Sequence, residues 1–115
     1  MSNTVSPELI RLAGILADWA APAPDVQIYV YGSRVRGDHR IDSDVDINVV
    51  WKYPAAADVL WWSANNDENF ATINVKLGFR LEILDANDVL QRKISSARIV
   101  YEVRNIRCVW LPSKP

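Results

Sequence analysis

The sequence predicts an α/β or α+β domain, a small sheet covered by helices. Three observations predict it. Apolar residues recur at helical spacing through "ELIRLAGILADW". The runs "VQIYVY" (26–31), "VDINVVW" (45–51) and "FRLEIL" (79–84) are rich in β-branched and aromatic residues and read as strands. Helix-like and strand-like segments alternate along the chain. With 115 residues and 13.0 kDa, the expectation is one domain over 1–115, the final "PSKP" (112–115) being a loose tail. Half the residues are hydrophobic and 23% are charged, which suits a packed core and argues against global disorder.

The first helix starts at Ser6, whose hydroxyl can cap it, with Pro7 in the first turn and Glu8 near its positive end. Leu9, Leu12, Ala13, Leu16 and Ala17 form its apolar stripe, and "APAPD" (21–25) ends it. The strand at 26–31 is broken by Gly32. Alternation in the next strand puts Val45, Ile47 and Val49 on one face, with Asp46 and Asn48 on the other. "PAAADVLWWSA" reads as helical from about Ala55; "NNDEN" (65–69) is a candidate interruption, after which "FATINVKLG" is a candidate continuation to a stop at Gly78. After the strand at 79–84, "DANDVLQRKISSARIVYEV" reads as one helix with Val89, Leu90, Ile94, Ala97 and Tyr101 inward. "RCVWL" (107–111) reads as a short last strand.

A formal net charge of -1 argues against a broad basic surface for nucleic acid, while leaving room for a local basic pocket. Cys108 is the single cysteine, so an internal disulfide and a cysteine metal cage are both excluded. "MSNTVSPELIRLAG" lacks the basic-then-apolar pattern of a signal peptide, and no apolar run is long enough to cross a bilayer. The expected location is cytoplasmic.

"YGSRVRGDHRIDSDVDINVV" (31–50) carries the chemistry. Its Gly32-x-x-x-x-Gly37 spacing after a strand is how a Walker A phosphate loop begins. That loop needs Lys and then Ser or Thr after the second glycine. Asp38 and His39 stand there instead, so the P-loop reading is rejected. A glycine ending a strand still lets a phosphate approach the backbone. Amides at the start of a following short helix, with the Ser33 hydroxyl, can donate to that phosphate, and Arg34 and Arg36 add positive charge. Asp44 and Asp46, two apart at a strand start, share a face. Two carboxylates so close repel, and a magnesium ion shared with phosphate oxygens removes the repulsion. A phosphate cradle beside a paired-acid metal site is minimal equipment for phosphoryl or nucleotidyl transfer.

The same stretch resembles the signature of the DNA polymerase β-type nucleotidyltransferase superfamily: Gly-Ser, a spacer of about ten residues, then Asp-x-Asp inside an apolar strand. More narrowly, "GSRVRGD" and "DSDVDINVV" are similar to the minimal nucleotidyltransferase (MNT) proteins, short prokaryotic chains that are often antitoxins paired with a HEPN-domain protein. The resemblance implies a nucleotidyltransferase fold with a mixed sheet. It also implies transfer of a nucleoside monophosphate, AMP from magnesium-bound ATP, to an acceptor hydroxyl. By the same resemblance Asp44 and Asp46 hold magnesium, and Gly32 and Ser33 hold the triphosphate with Arg34 or Arg36. The family expects a third carboxylate on a later strand. Glu82 stands there, one methylene longer than the usual Asp, and Asp85 at the strand end is the weaker candidate.

With no acceptor domain evident, the implied acceptor is another protein, a tyrosine of a HEPN toxin. A transfer-RNA-type acceptor and a homo-oligomer stay open. The rival reading is a catalytically silent antitoxin that neutralises its partner by contact. Trp61 and Trp62 are adjacent, about 100° apart on a helix; either a wide apolar face buries both, or one of them is an exposed anchor for a partner. Arg40 and His39 read as exposed loop residues, and Cys108 as a buried structural thiol.

Overall fold

The computed structural model describes residues 5–21, 26–40, 43–51, 81–83 and 88–112. Helix α1 spans Pro7–Trp19. The Glu8 amide donates to the Ser6 hydroxyl at 3.2 Å, satisfying a backbone donor that the first turn leaves without a partner. Leu9, Leu12, Ala13, Leu16 and Ala17 are all buried, as the spacing predicts.

Strand β1, Val26–Tyr31, runs directly into the short helix α2, Ser33–Arg36. Then come β2, Val45–Trp51, β3, Leu81–Ile83, helix α3, Asp88–Ser96, and the hairpin of β4, Arg98–Val103, and β5, Ile106–Trp110. The strands form one sheet in the order β3-β2-β1-β5-β4. The β1–β2 and β4–β5 pairs are antiparallel, while β1–β5 and β2–β3 are parallel, so the sheet is mixed.

Period-two alternation divides the core between the two sheet faces. Ile28, Val30, Val45, Ile47, Ile106 and Cys108 meet the apolar stripe of α1. Tyr29, Tyr31 and Val109 lie on the opposite face with Ile94 of α3. Helices therefore cover both faces of a sheet whose central strand, β1, ends at Gly32.

One expected element is corrected. The helix read over 85–103 is confined, among the described residues, to Asp88–Ser96, and Arg98–Val103 is strand β4. The Ser96 hydroxyl donates back to the Arg92 carbonyl at 2.7 Å, a local bond that competes with continued helix. "RIVYEV" then finds a ladder against β5, and that long-range pairing overrides a helical period that Ala97 and Tyr101 happened to extend. Leu90 and Ile94 keep their inward role, Val89 is exposed, and Tyr101 packs in the α1 core from β4. The last strand starts at Ile106, one residue ahead of the predicted 107. The predicted helix at 55–78, with Trp61 and Trp62, lies outside the described residues, as do 113–115. Among the described residues no helix is long and apolar enough to cross a membrane.

Cys108 is fully buried, and burial pushes its thiol up from 9.0 to about 12. The folded chain thus keeps a proton that the unfolded chain releases. The resulting stability is whole below about pH 9 and is lost as pH rises towards 12. Urea titrations should show wild type losing on the order of 2 kcal/mol more than Cys108→Ala between about pH 8 and pH 10.5. Equal losses in the two proteins would remove the thiol from the account.

Candidate active site

The site begins where β1 ends. Gly32 has φ 86° and ψ -158°, a backbone conformation that side chains strain to adopt. A Cβ at this position would collide with Oδ2 of Asp46 and lie 3.3 Å from its Cγ. Glycine is required twice over, by conformation and by space. The β1–β2 register explains the closeness: Tyr31 pairs with Asp46, so the next residue turns directly beside that carboxylate.

Helix α2 grows from the same turn. The Val35 and Arg36 amides donate to the Gly32 carbonyl at 3.1 Å each, and the Gly37 amide donates to Ser33 O at 2.8 Å. Gly37, at φ 87°, ends the helix in the left-handed conformation. Ser33 is half-buried at the head of this turn, and its hydroxyl has no hydrogen-bond partner among the described residues.

Asp44 lies one residue ahead of β2 and Asp46 lies within it; both are half-buried. Glu82 of β3 occupies the register position beside Asp46. The structure therefore gathers Gly32, Ser33, Asp44 and Asp46 and brings the backbone of Glu82 alongside. Asp85 lies outside the described residues.

The arginines are placed less simply. Arg34 is buried, its side chain 4% exposed. Its Nη1 donates to Glu8 Oε1 at 3.0 Å, while Nε and Nη2 donate to the Ser43 carbonyl at 3.3 and 2.9 Å. Arg36 donates to Asp38 at 3.2 Å and to the Leu111 carbonyl at 3.1 Å. Arg40 is exposed as expected, but His39 is half-buried rather than exposed. Its Nε2 stands 4.0 Å from Glu8 Oε2, and its buried Nδ1 has no hydrogen-bond partner among the described residues. Sequence reasoning missed Glu8 in this setting, taking it only as a helix-dipole complement. Glu8 and Arg34 lie 26 residues apart, and no local pattern links them.

The donor set fits a hard divalent ion such as magnesium, which takes carboxylate oxygens and prefers to share them with phosphate. Asp44 and Asp46 supply such oxygens, and the Asp46 carboxylate abuts the Gly32 turn. Among the described residues no three His, Cys, Asp or Glu side chains converge as a metal cluster. The backbone of Glu82, the third acid that the sequence singles out, lies beside Asp46.

No curated protein and no solved structure matches the chain significantly. The sequence profile of the nucleotidyltransferase domain family, however, matches residues 11–101, well over half of the chain and all of the site. With its glycine turn, its paired acids and its mixed sheet in place, the chain belongs to the nucleotidyltransferase domain family.

Proposed function

We propose that this chain moves AMP from magnesium-bound ATP to a hydroxyl of another protein, a tyrosine of a HEPN-domain partner. The observation that carries the reading is the Asp46 carboxylate packed against the backbone of Gly32. It sets an acid suited to a metal-bound phosphate beside a turn suited to the phosphate tail. Family membership supports nucleotidyl transfer in general. AMP, magnesium and the HEPN partner rest on the resemblance of "GSRVRGD" and "DSDVDINVV" to minimal nucleotidyltransferases.

In this reading Gly32 leaves its backbone open to the triphosphate, the Ser33 hydroxyl donates to it, and Arg36 lends positive charge from the end of α2. Asp44, Asp46 and Glu82 would hold the magnesium ion. When bound, that ion offsets the mutual repulsion of the carboxylates and the charge of the triphosphate. The acceptor oxygen bonds to the α-phosphorus, the bond to the pyrophosphate oxygen breaks, and its electron pair leaves with pyrophosphate. The acceptor proton passes to the Glu82 carboxylate. No residue of the chain becomes covalently modified.

Two experiments bear on this. Incubated with ATP, magnesium and a HEPN-domain partner, wild type should shift the partner's intact mass by one AMP. Asp46→Asn should abolish the shift with its circular dichroism unchanged, because relieving like-charge repulsion does not endanger the fold. An unmodified partner that is nonetheless neutralised in cells by the Asp44→Asn, Asp46→Asn double variant would establish contact alone as the function. Separately, Glu82→Gln should retain ATP binding better than turnover, which should fall on the order of a hundredfold or more. An unchanged rate there, with Asp85→Asn inactive, would move the third acid to Asp85.

A further inference from the structure

We infer that Arg34 is a positioning residue for Asp44, gripping the peptide unit that carries it, and that Glu8 holds Arg34 in that grip. The inference rests on the reading of Asp44 as a metal-holding carboxylate.

The grip is specific in its geometry. The Ser43 carbonyl belongs to the peptide unit whose nitrogen is that of Asp44. That unit is planar and includes the Asp44 Cα. Two donors of one guanidinium, Nε at 3.3 Å and Nη2 at 2.9 Å, meet this single carbonyl oxygen. A rigid planar fork on one oxygen fixes direction as well as distance. It therefore sets where the chain enters Asp44 just before β2 begins. The other side of the turn is tied as well. The Ser43 hydroxyl accepts from the Arg40 amide at 2.8 Å, and the Ser43 amide donates to the Arg40 carbonyl at 3.1 Å.

Glu8 supplies the counter-charge. With its side chain 4% exposed, Arg34 carries a cation that water barely reaches, and the Glu8 carboxylate at 3.0 Å compensates it. Glu8 is itself fixed at the first turn of α1, where its amide donates to Ser6. Helix α1, helix α2 and the approach to β2 thus meet at one guanidinium. This explains why an arginine in a phosphate-binding stretch points inward: it aims an acid at the substrate instead of touching the substrate itself.

The test is manganese binding to the full chain, followed by electron paramagnetic resonance of free Mn2+, since manganese also accepts carboxylate oxygen ligands. Wild type should bind Mn2+. Arg34→Gln should weaken binding at least about tenfold, the loss seen when groups that orient metal ligands are removed. Arg34→Lys, which keeps the charge but not the fork, should fall between. Glu8→Gln should weaken binding less than Arg34→Gln, because the bonds to Ser43 survive. A core variant matched to the same melting temperature, such as Leu16→Val, should keep wild-type affinity. Wild-type affinity in Arg34→Lys and Glu8→Gln would overturn the inference even if Arg34→Gln does not fold. An equal loss in the Leu16→Val control would overturn it too, reducing Arg34 to general stability. Absence of Mn2+ binding by wild type would instead sink the metal-site reading, and this inference with it.

Discussion

The contact between the Asp46 carboxylate and the bare backbone of Gly32 is the constraint on which the rest of the site depends. It exists because β1 and β2 are antiparallel neighbours in a register that pairs Tyr31 with Asp46. A one-residue slip would send Asp46 to the α1 face of the sheet, among Ile28, Val30 and Ile106, and turn Ile47 out of it. The apolar alternation of both strands forbids that slip, so the hydrophobic core and the acid's position are one decision. The close approach then excludes a Cβ at position 32, and the positive φ there starts the chain into α2.

Charge is organised around this contact in two layers. Asp44 and Asp46 stay half-buried, with the Asp46 carboxylate beside the turn. Behind them the buried Arg34 guanidinium and Glu8 form an ion pair that draws α1, α2 and the start of β2 together. A buried cation without its partner is costly, while the pair itself adds little net stability. Its value lies in geometry, and that value is spent on the residue next to Asp44.

Much of this was legible in the sequence, for physical reasons. The α1 stripe and strands β1 and β2 follow from periodicity that local sterics enforce, and the nearness of the Gly32 turn to Asp46 was implied by the resemblance of the motif to a known signature. Strand β4 was not legible, because Ala97 and Tyr101 extend a helical period and the ladder to β5 that overrides it is a long-range fact. The inward turn of Arg34 was hidden likewise. Its partners Glu8 and Ser43 come together only once α1 packs across the sheet, and a lone arginine in a phosphate-binding stretch reads as a phosphate ligand.

If the Gly32 turn and the paired acids form one site, ATP binding needs both of them. Calorimetric titration of ATP, with and without magnesium, into wild type and Gly32→Ala is the decisive experiment. Wild type should bind ATP in a magnesium-dependent way. In Gly32→Ala a methyl group in the path of Asp46, with roughly 1–3 kcal/mol of backbone strain, should weaken that binding about tenfold or more. ATP affinity that is the same with and without magnesium, and the same in both proteins, would contradict it.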